Sequence, residues 1–126
     1  MLIALSGLCK TQIKTMDFGE AIKALKQGRM VARMGWNGKG MFIFMRPADE
    51  LHIDFVVDKV KSLPQSVKDF YNQDRLDQDG NQLIQDENQV VKFTSYICMK
   101  AFDGSIVNGW LASQTDILSE DWCVLD

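Results

Sequence analysis

Apolar positions along the chain change their period several times, and each change marks an element. Phe18, Ala21, Ile22 and Leu25 recur at i, i+3, i+4 and i+7, the spacing that lines one face of an α-helix. Asp17 stands where a cap takes the free N–H groups of the first turn. Glu20, three residues on, completes a capping-box pair, and Gly28 supplies the left-handed residue that ends the helix. The period then shortens. Met30–Met34 and Met41–Met45 read as strands flanking Trp36-Asn37-Gly38-Lys39-Gly40, whose Asn-Gly pair favours the positive dihedrals of a tight hairpin turn. Tyr96–Phe102 and Ser105–Trp110 repeat the pattern around Asp103-Gly104. Ser113-Gln114-Thr115-Asp116 has the form of a capped entry into one helical turn, Asp116–Glu120, and Trp122–Leu125 reads as a last strand.

A more polar insert runs from Pro47 to Val90. Its first part, Asp49–Ser62, has mixed spacing that suits an extended arm followed by a helix. Ser62-Leu63-Pro64 ahead of Val67-Lys68-Asp69-Phe70-Tyr71 is a helix start with proline near its first turn. Gln73–Asn88, rich in Asp, Asn and Gln, reads as an exposed loop. Asp77, Asp79 and Gly80 fall at calcium-loop offsets. The first ligand position would be Arg75, however, and the last Asp86, so a solvated acidic loop is the better reading. The pattern predicts an α+β fold: one capped helix packed on a twisted antiparallel sheet of hairpins, with a helical and loop insert at one edge.

Length and composition narrow the class. The 126 residues suit a single domain, 1–126, since two cores of this size would each be marginal. Hydrophobic residues at 46% and charged residues at 25% are ordinary for a folded globular chain. Residues 1–15 form a leader, either an extra edge strand or disordered; Met1–Leu8 is apolar but too short to span a bilayer. The net charge of -3 argues against a duplex-DNA binder, which carries a basic face to neutralise phosphates. A small phosphate-bearing ligand needs only one or two local cations and stays open. Cys9, Cys98 and Cys123 are widely spaced and His52 is the single histidine, so neither a metal centre nor a cofactor is expected. The odd cysteine count without a signal peptide points to a reducing cytoplasm.

No nucleophile elbow, metal-binding H-E-x-x-H, P-loop or dinucleotide fingerprint is present, so a binding protein is expected rather than an enzyme. Two tryptophan segments, Gly35–Gly40 and Asn108–Asp116, carry the candidate chemistry. An indole beside a glycine-flanked turn can be a stacking platform for a purine. Asn37, Ser113, Gln114 and Asp116 offer donors and acceptors for ribose hydroxyls or base edges, and Arg33 or Lys39 a cation for phosphate. Spacing alone favours the blander role: tryptophans that lid a small core, and Ser113 with Asp116 as a helix cap. Trp122, with Val124 on the same face of a terminal strand, is assigned to the core.

A resemblance reverses that preference. Phe18-Gly19-Glu20-Ala21-Ile22-Lys23-Ala24-Leu25-Lys26-Gln27-Gly28, continuing through Val31-Ala32-Arg33-Met34-Gly35-Trp36-Asn37-Gly38-Lys39-Gly40-Met41, resembles the opening of the second type of Thoeris anti-defense protein. The blocks Met99–Val107, Gly109–Asp116 and Leu118–Trp122 are similar to its close. Together they cover somewhat under half the chain, and Ser62–Lys68 resembles the longer-insert branch of that family. The resemblance implies a phage-encoded sponge in the host cytoplasm. It would sequester, without cleaving, the cyclic ADP-ribose isomer that signals infection, and in some members cyclic oligonucleotide signals of CBASS at a separate site. It implies homo-oligomers, typically tetramers of two dimers, with pockets near subunit interfaces. Carried over by position, the ligand-binding candidates are Phe18, Arg33, Trp36, Asn37, Trp110, Ser113, Gln114 and Asp116. The leader and the 47–90 stretch exceed the shortest members, which leaves the preferred isomer open. A messenger hydrolase and a protein-interaction inhibitor of a defence effector are the alternatives.

Overall fold

Asp17 and Glu20 do at the start of the first helix what their spacing suggested. The Asp17 carboxylate accepts the Glu20 N–H at 2.8 Å while the Glu20 side chain reaches back to the Asp17 N–H. Such reciprocal caps satisfy two of the donors a helix leaves unpaired and are worth about 1 kcal/mol. The computed structural model describes residues 14–83 and 88–126. Its elements in chain order are α1 (Phe18–Lys26), β1 (Val31–Arg33), a 3₁₀ turn (Met34–Trp36), β2 (Phe42–Arg46), β3 (Asp49–His52), α2 (Ile53–Asp58), α3 (Gln65–Gln73), β4 (Val90–Phe93), β5 (Tyr96–Lys100), β6 (Ile106–Asn108), α4 (Gln114–Leu118) and β7 (Trp122–Val124). The leader expected over 1–15 lies almost wholly outside the described residues.

The described residues form two compact units, one from those up to Pro47 together with Ser95–Asp126, the other from those between Ala48 and Thr94. In the first, an antiparallel sheet of order β6-β5-β2-β1-β7 carries α1 on one face. Ladder register explains the core. Val124, Val31, Ile43, Met99 and Val107 stand in one row across all five strands, and the first four pack with Ala21, Ala24 and Leu25 of α1. Residues one step out of register point to the opposite face, where Ala32 and Cys123 pair and are buried, with Phe42 and Leu125 packed against them. This is the α+β fold expected, with the N-terminal helix on an antiparallel sheet.

Several boundaries moved. The strand expected over Met30–Met34 stops at Arg33, because Met34 turns away into the 3₁₀ turn. Ser105–Trp110 shortens to Ile106–Asn108, ended by Gly109 at φ 73°. The helical turn expected over Asp116–Glu120 begins at Gln114, so Asp116 is its third residue and completes a capping box with Ser113.

In the second unit, β3 and β4 form a two-stranded antiparallel ribbon. Ile53 and Val56 are the buried side chains of α2, whose N-terminus is capped by His52 Nδ1 accepting from the Asp54 N–H. Pro64 stands at the N-cap of α3, as its position in the sequence suggested. The Asp77 carboxylate accepts from the Asp79 and Asn81 N–H groups, closing a turn around Gly80. That is turn chemistry rather than cation ligation, and no cluster of potential metal ligands occurs among the described residues.

Candidate functional site

The site begins where β1 ends. Arg33 lies directly across the ladder from Trp122, so both side chains emerge on the α1 face of the sheet. The next N–H groups are then taken by one residue of the far strand's approach. Met34 donates to the Asp121 carbonyl at 3.0 Å and Gly35 to the Asp121 carboxylate at 2.8 Å. Asn37 closes the turn by donating back to the Met34 carbonyl from a left-handed backbone, φ 58°. Glycine at 35 follows from close approach, since a Cβ there would sit 2.9 Å from both Arg33 Nη2 and Asp121 Oδ2. The outcome is a fixed turn that presents Trp36 and, beyond it, Asn37.

Three tryptophans and one phenylalanine meet behind this turn. Trp122 is fully buried and makes contact with Phe18 at 5.2 Å, Trp36 at 5.4 Å and Trp110 at 6.5 Å between ring centroids. Trp36 and Trp110 also touch each other edge to face, at 6.2 Å and 80°. Trp122 satisfies its indole N–H on the Asp116 carbonyl at 2.9 Å. Among the described residues the indole N–H groups of half-buried Trp36 and Trp110 meet no acceptor. The sequence assigned Trp122 to the core, and it is there. Trp36 and Trp110 each lean on the core, and each keeps part of its surface exposed.

An ionic clamp ties the two tryptophan segments together. Arg33 donates through Nε and Nη2 to Asp121, at 2.9 and 3.4 Å, and through Nη1 to Asp116 at 2.8 Å. The hydrogen bond with Asp121 chiefly holds the Arg33 guanidinium charged, raising its pKa despite partial burial. Burial alone would push both carboxyls up. Hydrogen bonds from Arg33 and Ser113 outweigh it at Asp116, and those from Arg33 and the Gly35 N–H at Asp121, so both carboxyls sit below the usual aspartate value. A phosphate approaching Arg33 must compete with two carboxylates already in place.

The eight residues picked from the sequence therefore divide. Phe18, Arg33, Trp36, Trp110 and Asp116 are joined by direct contacts through Trp122 and the clamp, and Ser113 joins them through its reciprocal bonds with Asp116. Asn37 is the exposed residue after Trp36, and Gln114 the exposed first residue of α4. Asp121 lies outside the candidates that the sequence suggests. The available signal was Arg33 itself, a charged residue on the apolar face of a core strand, which requires a counter-charge nearby.

A cavity of about 200 Å³ lies elsewhere, in the 48–94 unit, lined by Asp54, Asp58, Arg75, Gln82, Leu83 and Gln89. It is small for a dinucleotide-sized ligand. Arg75 is also saturated: its donors go to Asp54, Asp58 and Asn72. Its one lining cation is thus already paired with two carboxylates.

Comparison with known proteins bears on the same segments. Residues 16–125 match the family model described as the Thoeris anti-defense 2-like domain. The Thoeris anti-defense 2 protein of Bacillus phage SP01 is 34% identical over 110 residues, which span 87% of this chain and 94% of the relative. The match includes both tryptophan segments, Arg33, Asp116 and Asp121. No helix among the described residues is long and apolar enough to cross a membrane.

Proposed function

Since the chain belongs to the Thoeris anti-defense 2-like family, we propose that this anti-defense protein works by holding the cyclic ADP-ribose-type signal of Thoeris immunity out of reach, intact. The observation that carries the reading is the pair of half-buried indoles, Trp36 and Trp110, which Trp122 backs and whose N–H donors meet no acceptor among the described residues. One indole stacks on the adenine, a contact worth about 1–3 kcal/mol. Asn37, Ser113 and Gln114 supply polar groups for the riboses and the diphosphate. Phe18, Arg33 and Asp116 shape the platform from behind, by packing and by the clamp. Arg33 is a brace here rather than an open phosphate ligand.

Sequestration requires binding well below the concentration of the signal, a nanomolar dissociation constant or about -12 kcal/mol. Enclosure between subunits of a homo-oligomer, two dimers forming a tetramer in the host cytoplasm, would help to reach it. The test is to mix the purified protein with cyclic ADP-ribose isomers, remove it by filtration, and then heat it and weigh the released ligand by mass spectrometry. Sequestration predicts a filtrate that no longer activates the Thoeris effector and a ligand of unchanged mass. A hydrolysed product would make the protein an enzyme. A filtrate that still activates the effector would leave direct inhibition of that effector. Cyclic oligonucleotides titrated separately report on a second signal class.

A further inference from the structure

We propose that Asp121 is the positioning residue of this site: one carboxylate, taking the Gly35 N–H and the Arg33 guanidinium together, sets how Trp36 and Asn37 face a ligand. The inference rests on the reading of the tryptophan segments as the binding platform. Three observations carry it.

The first is that the turn bearing Trp36 cannot hold itself. A single 3₁₀ turn has one internal bond, Asn37 N–H to the Met34 carbonyl, and such turns have poor hydrogen-bond geometry. Besides the packing of the Trp36 ring, both outside hydrogen bonds of the turn's N–H groups go to Asp121, the Met34 N–H to its carbonyl and the Gly35 N–H to its carboxylate. Second, the space is shaped for that carboxylate. Gly35 lacks the Cβ that would stand 2.9 Å from Asp121 Oδ2 and Arg33 Nη2, so the close approach depends on glycine. Third, the same carboxylate reaches the other segment. Through Arg33 it is linked to Asp116, and through Asp116 to Ser113 beside Gln114. One anion thus fixes the two ligand-facing segments relative to each other.

Asp121 touches the platform only through these polar bonds. Its side chain is 31% exposed and belongs to neither apolar cluster, so removing its charge opens no cavity. A residue of this kind affects geometry more than global stability.

The experiment compares Asp121→Asn, Gly35→Ala and the double variant with the wild-type chain. Two readouts are used: near-ultraviolet circular dichroism of the ligand-free protein, which reports the mutual orientation of the three indoles, and calorimetric titration with individual cyclic ADP-ribose isomers. Far-ultraviolet spectra check the fold. Asp121→Asn is expected to change the near-ultraviolet signal and weaken binding about tenfold, some 1.4 kcal/mol. Gly35→Ala, which leaves the charge in place but pushes a methyl group between the partners, is expected to do the same. The double variant is expected to be no worse than either single one, because both break one contact. An Asp121→Asn protein with a wild-type spectrum and affinity within twofold overturns the proposal, as does simple additivity of the two changes. If Asp121→Asn does not fold, Gly35→Ala alone decides: an unchanged spectrum and affinity sink the idea. Failure of the platform reading looks different, with Trp36→Ala and Trp110→Ala binding like wild type while the Asp121→Asn spectrum still shifts.

Discussion

Trp36 and Trp110 stand edge to face, 6.2 Å apart with ring planes at 80°, and so cannot form the two slices of one sandwich around a base. A sandwich needs parallel rings with an open slot between them, whereas here one ring's edge already occupies the other's face. At most one indole can stack flat on an adenine. The other must meet the ligand by its edge or by its N–H.

That asymmetry separates the two tryptophans experimentally. The stacked one should lose about 1–3 kcal/mol of affinity on substitution by alanine, and phenylalanine there should restore most of it, since a ring face is what stacking uses. At the other position phenylalanine should rescue little, because it has no N–H to donate. Calorimetry of Trp36→Ala, Trp36→Phe, Trp110→Ala and Trp110→Phe against cyclic ADP-ribose isomers decides which is which. Equal rescue by phenylalanine at both positions would rule out the division of roles.

Trp122 should behave as the structural member of the trio. It is fully buried, in contact with three other rings, and it satisfies the Asp116 carbonyl. Trp122→Ala removes that volume and orphans the carbonyl, so a loss of roughly 3–5 kcal/mol is expected in urea unfolding monitored by circular dichroism. Trp36→Ala, at a half-buried position, should cost clearly less. Equal costs would mean that the platform is itself core.

Helix caps offer a smaller and cleaner effect. Asp17→Ala should lower unfolding stability by about 1 kcal/mol without changing ligand affinity, because the box it breaks lies at the start of α1 and bonds only Glu20. Ser113→Ala breaks the second capping box, whose other member Asp116 holds Arg33. It should lower stability and ligand affinity together, which the same two measurements resolve.

The contrast between these two boxes shows what the sequence could reveal. Both were legible, because a capping box is written within four residues. The hydrophobic period of α1, the Asp103-Gly104 hairpin and the proline before α3 were legible for the same local reason. The 3₁₀ turn at Met34 was not. Strand propensity runs through Met34, and what bends the chain there is Asp121, far away in sequence. The clamp was hidden likewise, since Arg33 lies 83 residues from Asp116 and 88 from Asp121. Sequence also divided the tryptophans into two for binding and one for the core, whereas folding packs all three together. Ladder pairing of β1 with β7, which no local pattern specifies, creates that cluster.

Acid should dissolve the clamp before it melts the rest of the sheet. Asp116 and Asp121 both have carboxyl pKa values below the ordinary aspartate value in the folded chain: burial opposes this, but hydrogen bonds from Arg33 and from Ser113 or Gly35 prevail. A group whose folded pKa lies below its unfolded one adds stability above the unfolded value, and that stability disappears as pH falls through the folded value. The window therefore opens at about pH 4, where an unfolded aspartate begins to protonate, and extends below it. Arg33, raised in the folded state, stays charged throughout this range and adds no slope. Exposed Asp77 and Asp103 are also held low, by the Asn81 backbone N–H and by Ser105 respectively, and titrate in the same direction. The clamp's share is thus the difference between wild type and Asp121→Asn. Urea midpoints measured from pH 7 down to pH 3 should fall for both, but less steeply for Asp121→Asn, which has one fewer carboxylate to protonate. The near-ultraviolet signal of the wild type should move toward that of Asp121→Asn as the pH drops. Parallel midpoint curves would show that Asp121 contributes no acid-labile stability and that the clamp is only a surface pair.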